Sequence, residues 1–134
     1  MKKCWLILLL FFLVACGKET SVKGREYIYS TPNGFQITLG FDKTGDRYFG
    51  KGVNKYYGRY TLNENQLSFG IPTSTMMMGD SFDMTEEEKF LNLLAEIQSF
   101  EVDNEQLTLI TKENKRFVLK QKKYTYSKEA QHEE

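Results

Sequence analysis

The chain has 134 residues, with 18 Lys and Arg against 18 Asp and Glu and one His, so its formal net charge is zero. That length fits one domain, and the balanced charge excludes the large basic field that nucleic-acid-binding chains carry. Its two cysteines, Cys4 and Cys16, both lie at the start, so no disulfide framework holds the remainder together.

Lys2 and Lys3 form a short basic start, and Trp5 to Val14 (WLILLLFFLV) is unbroken apolar sequence. At about 1.5 Å rise per residue this run is too short to cross about 30 Å of hydrocarbon as a helix, so residues 1–15 read as an export signal. Leu13-Val14-Ala15-Cys16 resembles the bacterial lipobox. That resemblance implies lipidation of Cys16 (palmitate among the acyl chains), cleavage before it, and a lipid-anchored envelope protein. With Lys2 and Lys3 removed, 16 basic residues face 18 acidic ones. One acyl chain holds only marginally, and the three implied here anchor stably. In Gram-negative sorting an Asp after the lipidated cysteine favours the inner membrane. Gly17 stands there, which favours the outer membrane, facing the periplasm.

Residues 16–24 read as the lipidated end and a polar tether. Arg25 to Phe41 reads as a hairpin around Thr31-Pro32-Asn33-Gly34, with Phe35, Ile37, Leu39 and Phe41 at period two. Arg47 to Val53 is a third strand, in which Gly50 and Gly52 suggest a bulge or a close backbone approach. Tyr57 to Leu62 and Gln66 to Phe69 make a hairpin around Asn63-Glu64-Asn65, whose Asn residues tolerate a left-handed backbone. The period then changes. Phe90, Leu91, Leu94 and Ile97 fall on one face of a helix over Thr85 to Gln98, with Thr85 and Glu88 as a capping box and acids in the first turn. Three more strands follow, around Phe100 and Val102, Leu107 and Leu109, and Phe117 to Leu119. Residues 122–134 read as a polar tail. The fold class is α+β: about eight short antiparallel strands in a curved or barrel-like sheet, with one helix before the last three.

Val53-Asn54-Lys55-Tyr56-Tyr57-Gly58-Arg59-Tyr60 and Thr75-Met76-Met77-Met78-Gly79 resemble two segments of the META-domain (HslJ-like) bacterial lipoproteins, Gly-Cys-Asn-aromatic-Gly-x-Tyr and Thr-Arg-Met-x-Cys. The resemblance spans about Gly24 to Lys120, and the domain is placed at residues 25–121. It implies a β-rich domain outside the cytoplasm, linked to envelope stress and antibiotic tolerance, without known catalysis or cofactor. Two positions depart from the pattern. Val53 and Gly79 stand where the family often has cysteines, so a disulfide or redox role does not transfer. Met76 replaces the family's basic residue, which removes an anion contact.

Each candidate site has a plainer alternative. Met76, Met77 and Met78 suggest Cu(I), which thioethers select, but adjacent residues on extended backbone point to opposite faces. Core filling is the first reading of this run, with a partner-binding patch second. Asn54 and Gly58 either shape a groove or serve a backbone hydrogen bond and close packing. Asp80, Asp83 and Glu86 to Glu88 lack the EF-hand pattern, and the helix dipole accounts for them. His132 lies in the tail, and no motif sets a base beside a nucleophile, so no enzyme, metal or cofactor is expected.

Two functions remain. The first is a contact module that meets an envelope protein through Asn54, Tyr56, Tyr57, Gly58 and Tyr60 together with Thr75, Met76, Met77 and Met78. The second is a carrier of a small apolar ligand or lipid inside the sheet. The bulk of Phe35, Ile37, Leu39 and Phe41 favours the first. No nucleic acid and no small-molecule substrate are expected.

Overall fold

The computed structural model describes residues 21–123. The export signal, the Cys16 lipidation site, most of the tether and the tail beyond Lys123 lie outside the described residues. Nine strands and one helix follow in order: β1 (Glu26–Ser30), β2 (Gln36–Phe41), β3 (Arg47–Lys51), β4 (Lys55–Asn63), β5 (Gln66–Phe69), β6 (Thr73–Ser74), α1 (Ser81–Glu96), β7 (Ile97–Asp103), β8 (Gln106–Thr111) and β9 (Arg116–Gln121).

The sheet runs β3-β2-β1-β9-β8-β7-β5-β4 and closes because β4 also pairs with β3. The result is a closed eight-stranded antiparallel barrel, with two-residue β6 beside β4 as an extension. The period-two runs dictate it: Tyr27, Ile37, Leu39, Phe41, Tyr48, Tyr56, Leu67, Leu107, Leu109 and Leu119 all point inward and are buried. Fully burying a side chain of this size stabilises by about 1.5–3 kcal/mol.

Interior glycines make room for tyrosines. A Cβ at Gly58 would stand 2.5 Å from the Tyr48 hydroxyl, and one at Gly50 would stand 2.0 Å from the Thr38 carbonyl and 2.4 Å from the Tyr56 hydroxyl. Both phenols are satisfied. Tyr48 donates to the Gly70 carbonyl at 2.6 Å, and Tyr56 donates to the Thr38 carbonyl. The close backbone approach expected at Gly50 and the close packing at Gly58 are therefore present.

Several boundaries differ from the sequence reading: β3 ends at Lys51 and not at Val53, and β4 begins at Lys55 and not at Tyr57. The helix starts at Ser81, not Thr85, because the Asp80 carboxylate accepts the Phe82 N–H at 2.9 Å and caps it a turn earlier. Thr85 instead donates its hydroxyl to the Ser81 carbonyl at 2.8 Å. The helix also ends sooner: Ile97 adopts extended backbone, and its buried side chain opens β7. In the β4–β5 turn the register pair Asn63↔Gln66 leaves a two-residue loop, and Glu64, not an Asn, takes the positive φ of 54°.

α1 lies against one end of the barrel. Phe90 stacks on Tyr29 with centroids 5.2 Å apart and meets Tyr56 edge-on at 6.4 Å. Leu94 lies on the same helical face and is buried with it.

Candidate docking site

The β3–β4 turn, the chain after β6 and the second turn of α1 converge at Asn54. Its backbone N–H and its Nδ2 donate to the two carboxylate oxygens of Glu87, at 2.8 and 2.9 Å. Its Oδ1 accepts from the Thr75 hydroxyl at 3.1 Å and from the Met77 N–H at 2.6 Å. Both Asn54 and Glu87 are buried. Lys55 reinforces the link: its carbonyl accepts the Thr75 N–H at 3.0 Å, and its N–H donates to the Thr75 hydroxyl at 3.2 Å. One amide thus ties three elements together, and charge-assisted bonds of this kind are about twice as strong as neutral ones.

The consequence for the methionines is the reverse of the core-filling reading. The loop is held by its backbone, so its side chains project outward. Met76 is 98% exposed, Met78 91% and Met77 60%. Ile71, at 94%, and half-exposed Phe82 are exposed apolar side chains as well. Between this segment and α1 lies a groove of about 600 Å³ with a mixed lining, apolar at Ile71, Pro72, Met84 and Leu91 and acidic at Glu87 and Glu88.

The remaining residues of the expected contact face divide by strand parity. Tyr56 and Tyr60 point into the barrel and are buried, and inward-facing Gly58 lies under the Tyr48 hydroxyl, so none of the three offers a contact surface. Tyr57, one residue out of phase, is half-exposed. Asn54 does bind backbone, as one of its two readings held, but its main partner is Glu87. Glu87 is buried, whereas the sequence reading treated it as one more first-turn acid. Its signal was present: Glu87, Phe90 and Leu94 are spaced three and four apart, which places an acid on the apolar face.

Burial sets the titration of the inner tyrosines. It pushes the Tyr48 phenol up to about 12, and it raises Tyr56 as well, with the neighbouring Tyr48 and Glu87 adding to the effect. Among the described residues, no three His, Cys, Asp or Glu side chains stand together in a way that would hold a metal ion. No helix among them is long and apolar enough to cross a membrane.

The two positions where the resemblance has cysteines are in contact. A Cβ built on Gly79 would stand 3.5 Å from the Val53 Cβ and 2.6 Å from its Cγ1. This matches the Cβ separation of a disulfide, about 3.5–4.5 Å.

Comparison with known proteins agrees with the fold. An NMR structure of a protein from Burkholderia xenovorans is similar at a TM-score of 0.62 and 20% identity, over 77% of this chain and 85% of that one. A second NMR structure matches at 0.54 and 17% identity, over 74% and 90%. No curated protein matches the chain. The META domain family model matches residues 18–124, and the chain belongs to the META domain family.

Proposed function

We propose that this protein is a non-catalytic, lipid-anchored envelope module that acts by protein contact through the loop from Ile71 to Met78. The observation that carries this reading is a pairing of fixed backbone with free side chains. Asn54 holds Thr75 and Met77 in place while Ile71, Met76 and Met78 remain almost wholly exposed. A flexible loop would lose more entropy on binding, so a pre-set apolar loop is the better docking element. Thioether side chains suit it, because they adapt to a partner's surface. The groove beside α1 offers the partner a place to seat a side chain.

The lipobox-like start supports anchoring at Cys16, and the family resemblance supports a role in envelope stress or antibiotic tolerance. The alternative, a ligand inside the sheet, is disfavoured by the inward bulk of Tyr27, Phe41, Tyr48 and Tyr56.

A photo-crosslinking residue at Met78, with Asn104 in the β7–β8 turn as control, tests the proposal in living cells. A discrete adduct with one envelope protein at position 78 alone is the expected outcome. Equal or absent labelling at both positions overturns it.

A further inference from the structure

The outer face of the β3–β4 hairpin carries a second surface, which the sequence does not reveal because its residues alternate with core residues. Register places Arg47 opposite Arg59, Phe49 opposite Tyr57, and Lys51 opposite Lys55. Two of the five register pairs therefore set like charges directly across the ladder, an arrangement that destabilises a sheet. Folding alone does not account for it. All four cations are exposed, and between them Phe49 and Tyr57 present half-open rings, with the Arg47 guanidinium 5.5 Å from the Tyr57 ring centroid.

The acids nearby do not neutralise the stripe. Asp46 reaches Arg59 only at 3.9 Å, with both groups largely in water. Glu26 and Asp42 border the shallow groove of about 430 Å³ beside Phe49 and Tyr57, but Glu26 pairs with Lys122 at 3.5 Å and neither acid forms an ion pair with the four cations.

We propose that this face lies on the surface of an anionic phospholipid bilayer, with the four cations against headgroup phosphates and Phe49 and Tyr57 at the interfacial level. Charge complementarity selects the occupant, since each Lys or Arg near an anionic leaflet contributes about 1 kcal/mol, or roughly fivefold in binding. Aromatic rings with one wet edge favour that depth. The choice of a bilayer over a nucleic acid rests on the export reading proposed above; the capacity to bind anions does not. In an anchored protein such a contact would fix how the barrel faces the membrane.

The core lies between Val22 and Leu119 and the closed sheet ends at Gln121, so a chain of residues 21–134 retains the whole barrel and separates this surface from the anchor. Its sedimentation with vesicles of equal parts phosphatidylglycerol and phosphatidylcholine is compared with that on phosphatidylcholine alone. Binding to the anionic vesicles only, lost at high salt, is expected. Lys51→Ala with Lys55→Ala should weaken it about twenty-five-fold, and Tyr57→Ser should weaken it while the far-ultraviolet circular dichroism of the folded barrel is retained. Three outcomes overturn the proposal: no preference for anionic vesicles, no effect of the double lysine variant, or tighter binding to a single-stranded oligonucleotide than to vesicles. The last would also count against export, while leaving the crosslinking result at Met78 to stand or fall separately.

Discussion

The Glu87 carboxylate accepts one hydrogen bond from the Asn54 backbone N–H and one from its side-chain amide, and both residues are buried although they lie on different elements far apart in the chain. Truncating Asn54 leaves its backbone N–H on Glu87 but removes the donor to the second carboxylate oxygen, and it also removes the acceptor of the Thr75 hydroxyl and the Met77 N–H. Asn54→Ala is therefore expected to cost about 3 kcal/mol in urea unfolding. A double-mutant cycle with Glu87→Ala should return a coupling of about 1 kcal/mol or more. Additive losses would mean that the side-chain bond from Nδ2 to Glu87 is not formed.

The same residue governs the methionine loop. In Asn54→Ala the Met77 N–H loses its acceptor, so amide exchange at Met77 should accelerate at least tenfold relative to the β8 amides. A uniform acceleration across the protein would point to global destabilisation only.

The Val53–Gly79 contact predicts that Val53→Cys with Gly79→Cys forms a disulfide spontaneously on oxidation. Closing the intervening loop should stabilise the barrel by about 3 kcal/mol on the chain-entropy model, read as a higher midpoint that dithiothreitol reverses. Free thiols persisting under oxidant would show that the two backbones do not approach as described.

Gly50→Ala places a methyl 2.0 Å from the Thr38 carbonyl, which is backbone and cannot rotate away. A loss of about 3 kcal/mol or outright failure to fold is expected. Gly34→Ala adds a methyl to open space, where only the φ of 86° opposes it, and should cost about 1 kcal/mol. The order of the two losses in denaturant titrations is the check.

Alkaline pH should unfold the protein through its inner tyrosines. The unfolded chain ionises tyrosine near pH 10, whereas burial holds Tyr48 at about 12 and also raises Tyr56. The raised groups contribute stability that is fully present below about pH 10 and falls as pH climbs towards 12, by up to about 1.4 kcal/mol per pH unit for each tyrosine. Unfolding free energies taken across that window should show this slope. Tyr48→Phe should flatten it, at the expense of leaving the Gly70 carbonyl without its donor.

What the sequence revealed follows from the range of its physics. Period two at Ile37, Leu39 and Phe41, and helical spacing at Phe90 and Leu94, are local signals, and both elements formed with those residues inside. The methionines misled because Met is equally at home in a core or on a surface, and what decides is a hydrogen bond from Met77 to Asn54 that no window around the loop contains. Glu87 was hidden for the same reason, since its partner lies on another element. The basic stripe escaped because Arg47, Lys51, Lys55 and Arg59 are spread along two strands and gather only when β3 and β4 pair.

Barrel closure depends on β1 and β9, joined at Tyr27↔Gln121 and Ile28↔Lys120, strands from opposite ends of the described chain. Most other pairings, from β1–β2 to β8–β9, join neighbours in sequence. The hairpins can therefore form early and quickly, while the seam must await the last strand and the entropy of bringing the ends together. Until then β1 presents an unpaired edge. For a chain threaded N-terminus first through a channel, the slow folding step begins only when Arg116–Gln121 has emerged, and a chain cut short of it would be prone to aggregate through that edge.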